Sequence, residues 1–308
     1  MTTDVADVAV VAVVAVVVTH TGASDMLDAC LAALADVGGI DHCVVVDNSG
    51  RPVDESAVSS LNRSMSIVRE ACANRGFGAA ANVGFARGRR LVSDSERSVM
   101  VLLNDDVVVA DGWLEPLLDE FDDDRVGAVQ PMLVFAGTDT VNSLGVVIGS
   151  DGAGTDVGLG EPVDSVDRSP TTIELFTGGA VAFRPEFLVA TGGFDERYFL
   201  YYEDVDLARR GAALGWSYRC VPASVVMHRK GASTEALGDR VVFLRERNRL
   251  WSAFRNESSR TIVGAVWLSG RRLRHRPYLV HLRALVAGVG EGAWRLVERA
   301  RAGARRAG

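Results

Sequence analysis

The chain of 308 residues is 48% hydrophobic and 24% charged, a globular balance that excludes a disordered or fibrous protein. Its net charge of −7 is uneven, because residues 260–308 hold eleven Arg against Glu291 and Glu298, so residues 1–259 are strongly acidic. An acidic body argues against nucleic acid as a partner, whereas the basic tail suits peripheral contact with an anionic membrane.

Residues 8–18 form a Val-rich run without alternation, which predicts a strand buried on both faces of a parallel sheet. The run is shorter than the roughly 20 residues of a membrane span. It follows Asp4 and Asp7 rather than a basic segment, so no signal peptide is expected. Cys30, Cys43, Cys72 and Cys220 show no zinc-site spacing. The expected location is cytoplasmic, with the inner face of the plasma membrane as a peripheral site.

Met26, Leu27, Leu31 and Leu34 predict a helix over 25–35, ended by Gly38 and Gly39. Residues 43–46 predict a second buried strand, closed by Asp47-Asn48-Ser49-Gly50. Strand, helix and strand with short connections make a βαβ unit, whose ligand side is the carboxyl end of its strands. A third unit follows: strand 66–68, a Gly/Asn-rich turn, a helix around 79–91, and strand 99–103 ending in Asn104-Asp105-Asp106. Three strand ends thus carry Thr19-His20, Asp47-Asn48 and Asn104-Asp105-Asp106.

Residues 136–172 are rich in Gly, Asp, Ser and Thr, and predict a hairpin with long loops of the kind that serve as lids or binding loops. Strand character resumes over 175–183 around Gly178-Gly179. A helix over 206–214 and strands over 216–221 and 225–227 precede His228. From about residue 263 the composition is helical, interrupted by Pro277.

Three constellations can carry chemistry. The carboxylates of Asp105 and Asp106 repel one another unless solvated or neutralised, and Mg2+ or Mn2+ suits such oxygen donors. A solvated turn is the alternative. Phe199, Tyr201 and Tyr202, with Leu200 among them, lead into Glu203, Asp204 and Asp206 at a helix start. Acids there are favoured by the helix dipole, but capping needs only one or two, and the excess fits a general base. His228 ends a strand, where a neutral imidazole can join a carboxylate around a metal ion. The stretch from Asn74 to Gly84 is not a dinucleotide fingerprint, because its third Gly is misplaced. Asn74, Arg75 and Asn82 are nonetheless placed to contact a phosphate or base.

Taken together, these residues resemble the inverting glycosyltransferases of family 2, in the bacterial rhamnosyltransferase-like branch. The resemblance rests on Val44-Val45-Val46-Asp47-Asn48-Ser49, Asn74-Arg75-Gly76-Phe77 with Asn82-Val83-Gly84, and Leu102-Leu103-Asn104-Asp105-Asp106. It continues through Thr177-Gly178-Gly179-Ala180, Gly192-Gly193-Phe194-Asp195-Glu196 and Tyr202-Glu203-Asp204-Val205-Asp206-Leu207. Val226-Met227-His228 and Arg247-Asn248-Arg249 complete a series covering roughly residues 8–255.

The resemblance implies a GT-A fold: an α/β protein with a Rossmann-like, mostly parallel central sheet flanked by helices, here with a helical C-terminal extension. It implies a glycosyltransferase domain over 1–259, with a nucleotide-binding half of about 1–110 and an acceptor half of about 111–259, and a basic extension over 260–308. Asn104-Asp105-Asp106 looks like the family's DxD motif, with Asn in its first position. Asp106 and His228 would then hold Mg2+ or Mn2+. Thr19, Asp47, Asn74, Asn82, Asn104, Asp105, Gly178 and Gly179 would line the nucleotide-sugar site, and Glu203-Asp204 would be the catalytic acids, Asp204 the base. The implied donor is a dTDP- or UDP-linked sugar, with rhamnose the leaning of the branch. The implied acceptor is a glycan or a polyprenyl-linked intermediate of cell-wall or surface polysaccharide synthesis. Two other classes stand beside this reading. A sugar-phosphate nucleotidylyltransferase would need a basic Gly-rich loop after the first strand, and residues 19–25 contain no Lys or Arg. A non-catalytic nucleotide-sugar-binding module would not need Asp106, Asp204 and His228 together.

Overall fold

The computed structural model describes residues 11–20, 24–50, 65–93, 97–229 and 238–307. Residues 8–10 of the expected first strand, Thr21 beyond it, and Lys230-Gly231 after His228 lie outside the described residues. In chain order the elements begin with β1 (Val11–Thr19), α1 (Asp25–Val37), β2 (His42–Asp47), β3 (Ser66–Ala71) and α2 (Phe77–Gly88). Then come β4 (Arg97–Asn104), β5 (Val107–Val109), α3 (Glu115–Asp119), β6 (Val126–Phe135), β7 (Val141–Ser143), β8 (Val146–Ile148) and β9 (Gly154–Asp156). The chain continues with β10 (Thr171–Ile173), β11 (Ala180–Phe183), α4 (Pro185–Thr191), α5 (Glu203–Ala212) and β12 (Ser217–His228). It closes with α6 (Asp239–Asn256), α7 (Ser259–Arg272) and α8 (Tyr278–Ala307).

One large sheet runs in the order β10-β12-β6-β11-β4-β1-β2-β3, with β5 added to β12 and β7 to β6. Neighbouring strands from β4 through β1 and β2 to β3 are parallel, β11 is antiparallel to both its neighbours, and β12 is parallel to β6. The Val-rich first strand explains itself by its two faces. Val13, Ala15 and Val17 join Leu27, Leu31 and Leu34 of α1 in one core, while Val14, Val16 and Val18 join Ala80, Ala81 and Phe85 of α2 in the other. Alternate residues point to opposite faces and both faces are covered, so the run has no polar side. Helix α1 starts at Ser24, whose hydroxyl accepts from Leu27 N at 3.2 Å, and stops at Gly38 with φ 71°.

Several elements differ from the sequence expectation. Residues 136–172 hold more than a hairpin: besides β8–β9 they supply β7 and β10 to the main sheet. The two strands expected over 216–227 are one, β12, whose register shifts between Val221 and Val225. Helix α5 begins at Glu203 rather than Asp206, because Tyr202 turns the chain into it with φ 69°. Helix α6 was not expected, because Glu246, Asn248 and Arg249 are buried in it and interrupt its apolar period. Leu250, Ala253 and Phe254 of α6 share a core with Ala265 of α7 and with Leu285 and Val289 of α8. Among the described residues no helix is long and apolar enough to cross a membrane.

Candidate active site

Parallel pairing brings the polar strand ends into one row. Thr19 lies opposite Asp47, and Val18 opposite Asn104. Asn48 N donates to Thr19 O at 2.7 Å, and Asp47 Oδ1 accepts from Ser49 N at 2.8 Å. Thr19, Asp47, Asp105 and Asp106 are all buried. Burial raises the Asp105 carboxyl above its ordinary range, against a hydrogen bond from the Thr19 side chain. Asp105 Oδ2 and Asp106 Oδ1 are buried without a hydrogen-bond partner in the protein.

His228, the last residue of β12, faces Asp106 from across this row. Its Nε2 lies 3.3 Å from Asp106 Oδ1, and Arg229 N donates to Asp106 O at 2.9 Å. His228 Nδ1 lies 2.8 Å from Asn142 Oδ1, on β7. A carboxamide oxygen only accepts, so Nδ1 carries a proton there, and in the neutral ring Nε2 keeps its lone pair toward Asp106. Among the described residues no three His, Cys, Asp or Glu side chains converge as a metal cage. The orphaned Asp106 oxygen and the Nε2 lone pair make a two-donor set. That suits a hard ion whose other positions are filled by diphosphate oxygens or water.

The acid pair is joined to the same row through Gly178-Gly179. Gly178 N donates to Asp204 Oδ2 at 2.9 Å, and Asn104 N donates to Gly179 O at 3.1 Å. A Cβ on Gly178 would stand 3.7 Å from Asp204, and one on Gly179 would stand 3.7 Å from the His228 ring. The nearest side-chain atoms to those two positions are Phe77 Cε1 at 3.4 Å and Leu133 Cδ1 at 3.3 Å, so the glycines sit closely packed between the acid pair and the Asp106–His228 pair. Asp204 Oδ1 also accepts from Val205 N at 2.8 Å. Glu203 is buried, its Oε2 has no partner, and burial, reinforced by Asp204, pushes its carboxyl up to about 8. Burial raises Asp204 as well, but two backbone N–H donors oppose the rise. The pair shares its titration, and the donors favour charge on Asp204 with the proton on Glu203.

Other residues singled out from the sequence have different partners. Asp206, the third acid of the run, is fully buried and binds Tyr198 Oη, Arg210 and Arg255, which ties α5 to α6. Asn82 uses its carboxamide on Phe194, accepting from its N and donating to its O, both at 2.9 Å. Asn74 is exposed, and its Oδ1 accepts from Gly76 N at 3.3 Å. Arg75 pairs with Glu196. The sequence reading missed Asn142, which carries no local signal, and assigned no role to Asn248.

A mixed sheet whose parallel strands end in polar and acidic residues, closed by an acid pair from a helix start, is the GT-A arrangement. Residues 99–296 match the profile described as Glycosyl transferase family group 2, and residues 14–145 match Glycosyl transferase family 2. The chain belongs to the family 2 glycosyltransferases. It is 29% identical over 178 residues to the N-acetylglucosaminyl-diphospho-decaprenol L-rhamnosyltransferase of Mycobacterium tuberculosis H37Rv, covering 53% of this chain and 58% of that protein. It is 30% identical over 150 residues to the O-antigen biosynthesis protein RfbC of Myxococcus xanthus, covering 45% of this chain and 11% of that protein. The chain thus spans little more than half the length of the first relative and a small part of the second.

Solved structures share the fold at low identity. GalNAc-T7 with UDP, GalNAc and Mn2+ superposes with a TM-score of 0.64 at 15% identity, covering 90% of this chain and 54% of that one. S. aureus TarS in complex with UDP-GlcNAc gives 0.58 at 10% identity, with 92% and 81% covered. The mannosyltransferase PcManGT from Pyrobaculum calidifontis, with GDP-Man and Mn2+, gives 0.52 at 15% identity, with 92% and 87% covered.

Proposed function

We propose that this glycosyltransferase moves a sugar, rhamnose in the favoured reading, from a dTDP- or UDP-linked donor to a glycan or polyprenyl-linked acceptor, with inversion. The carrying observation is the Gly178–Asp204 hydrogen bond, which joins the acid pair to the row of strand ends. Residues of about 1–110 take the nucleotide, with Asp47 toward the base and Thr19, Asn104 and Asp105 toward ribose and diphosphate. Residues of about 111–259 take the acceptor, and 260–308 form the basic extension. The name of the mycobacterial relative supports both the sugar and the lipid-linked acceptor.

Asp204 accepts the proton of the acceptor hydroxyl as its oxygen attacks the anomeric carbon. The bond from that carbon to the diphosphate breaks on the opposite face, so one displacement inverts the configuration. Asp106 and His228 would hold Mg2+ or Mn2+, which supplies neutralisation of the charge on the departing diphosphate. Gly178 N–H orients Asp204, and Glu203 stays protonated beside it.

A thermal-shift panel of UDP, dTDP and GDP, each with and without Mn2+ or Mg2+, tests the donor site. One nucleotide is expected to raise the melting temperature only with metal. No response to any of them counts against the donor site as drawn.

Peripheral contact with an anionic membrane belongs to the same proposal. Exposed Trp267, Leu279 and Val286 stand on α7 and α8 with exposed Arg271, Arg274, Arg276 and Arg283 among them. Arg272, grouped with this patch in the sequence, instead pairs with buried Glu246. Trp267→Glu with Leu279→Glu should release the protein from phosphatidylglycerol vesicles; unchanged sedimentation would refute the contact. Point variants are preferable to truncation. Arg249 binds both Ala265 O of α7 and Asp151 O, and Gly152 O in that loop accepts from Tyr202 Oη beside the acid pair.

A further inference from the structure

The residues before the acid pair follow a backbone path that ordinary side chains avoid. Phe199, Tyr201 and Tyr202 have φ of 68°, 69° and 69°. Phe199, with ψ −57°, is the centre of a γ-turn of the rare strained hand, closed by Leu200 N donating to Tyr198 O at 2.9 Å. Three bulky residues in this region within four positions persist only where surrounding contacts over-determine them. The turn also presents the carbonyls of residues 198–201 to neighbouring elements, and carbonyls removed from water need donors.

Those donors come from α6 and α2. Asn248 is 0% exposed, and its Nδ2 lies 2.9 Å from Tyr198 O, 2.8 Å from Leu200 O and 2.8 Å from Tyr201 O. Its Oδ1 accepts from Arg247 Nε at 2.9 Å, which sets the orientation of the amide. Arg247 also donates to Tyr198 O at 2.9 Å. The remaining carbonyl, of Phe199, accepts from Phe77 N at 2.8 Å. Backbone comes this close because residue 76 is Gly: a Cβ there would stand 2.1 Å from Phe199 O. On the outer side, Arg240 lies over the Phe199 ring and Arg245 over the Tyr201 ring, each 4.4 Å from the centroid.

We infer that Asn248 is the positioning residue of the catalytic acids, holding the strained aromatic turn so that Glu203 and Asp204 enter α5 facing Gly178. The inference rests on the reading of Asp204 as the base. A primary amide suits the task, because one trigonal nitrogen carries two donors while the oxygen takes the Arg247 hydrogen bond. Serine keeps one donor, and ionised aspartate keeps none and sets a charge against three carbonyl oxygens.

The test uses the full chain with Asn248→Ser, Asn248→Asp and Asp204→Asn. It measures hydrogen exchange of the 198–206 peptide, nucleotide-induced thermal shift, and nucleotide release from whichever UDP-, dTDP- or GDP-sugar the wild type consumes. Asn248→Ser should speed exchange of that peptide about tenfold while β1 and β4 stay protected. Its kcat should fall about ten- to a hundredfold with donor KM and thermal shift unchanged. Asn248→Asp should be worse near pH 8 and recover as the pH falls and its carboxyl regains a donor. A residue that merely filled space would show no such recovery. Wild-type exchange over 198–206 in both Asn248 variants would overturn the clamp. Faster exchange with undiminished kcat would overturn the positioning role and leave the base standing. Full turnover in Asp204→Asn would sink the base assignment instead, and the clamp would then be decided by the exchange data.

Discussion

The two acidic pairs of the site are chemically alike and are held in opposite ways. Asp105 and Asp106 follow β4, whose end is aligned with β1 by regular parallel pairing. That pairing sets the two carboxylates at the carboxyl end of a central strand. Glu203 and Asp204 follow a strained turn that Asn248, more than forty positions downstream, holds from another helix. Their surroundings also differ. Asp106 has an orphaned oxygen beside a histidine and suits a cation, whereas Asp204 takes two backbone N–H donors beside a buried, protonated Glu203 and suits a proton. Like carboxylates differ here in the groups that solvate them, which is the physical ground for the separate roles proposed above.

That division can be broken by substitution. Asp204→Asn should lower turnover about a thousandfold while metal-dependent nucleotide binding persists, as read by steady-state kinetics and thermal shift. Asp106→Asn should do the reverse in character: the metal-dependent thermal shift disappears, and turnover falls about a hundredfold. If the two variants behaved alike, the pairs would not be functionally distinct. Asn142→Leu removes the acceptor for His228 Nδ1 and should weaken Mn2+ binding about tenfold by electron paramagnetic resonance titration. Unaltered affinity would show that the ring needs no such partner.

The smallest effect sharpens the comparison through pH. The folded chain holds the Glu203 proton up to about 8, against an ordinary value of 4.5. Native protein therefore binds more protons than unfolded chain between those limits, and stability falls as pH rises through that window. Glu203→Gln should flatten this fall in melting temperature between pH 5 and pH 8. A slope equal to that of the wild type would place the proton elsewhere in the pair.

Much of the β1–β4 region was legible because its signals are local. A Val-rich run buried on both faces, a helix of period 3.6 ended by glycine and a second apolar run specify a βαβ unit within about 40 residues. The polar residues that end those runs fall at the ligand side by geometry alone. The acid run at 203–206 was also visible, yet its members look alike in sequence. Only packing separates Asp204, which faces Gly178, from Asp206, which is enclosed by Tyr198, Arg210 and Arg255. Asn82 is similar: a polar residue in a Gly-rich stretch fits a ligand contact, but its carboxamide is taken up by Phe194, 112 positions away.

The amino-acid sequence by itself determined the sheet nucleus, the row of polar strand ends and the family to which the chain belongs. Each depends on hydrophobic periodicity or on short motifs, and both act over a few residues. Tertiary structure alone decided which amide holds the aromatic turn, which carboxamide fixes the His228 ring, and why α6 is a helix despite Glu246, Asn248 and Arg249 in its interior. Buried polar groups must find partners wherever the fold brings them. The carbonyls that Asn248 Nδ2 serves lie 47 to 50 residues away and the His228 partner 86, beyond the reach of any local pattern.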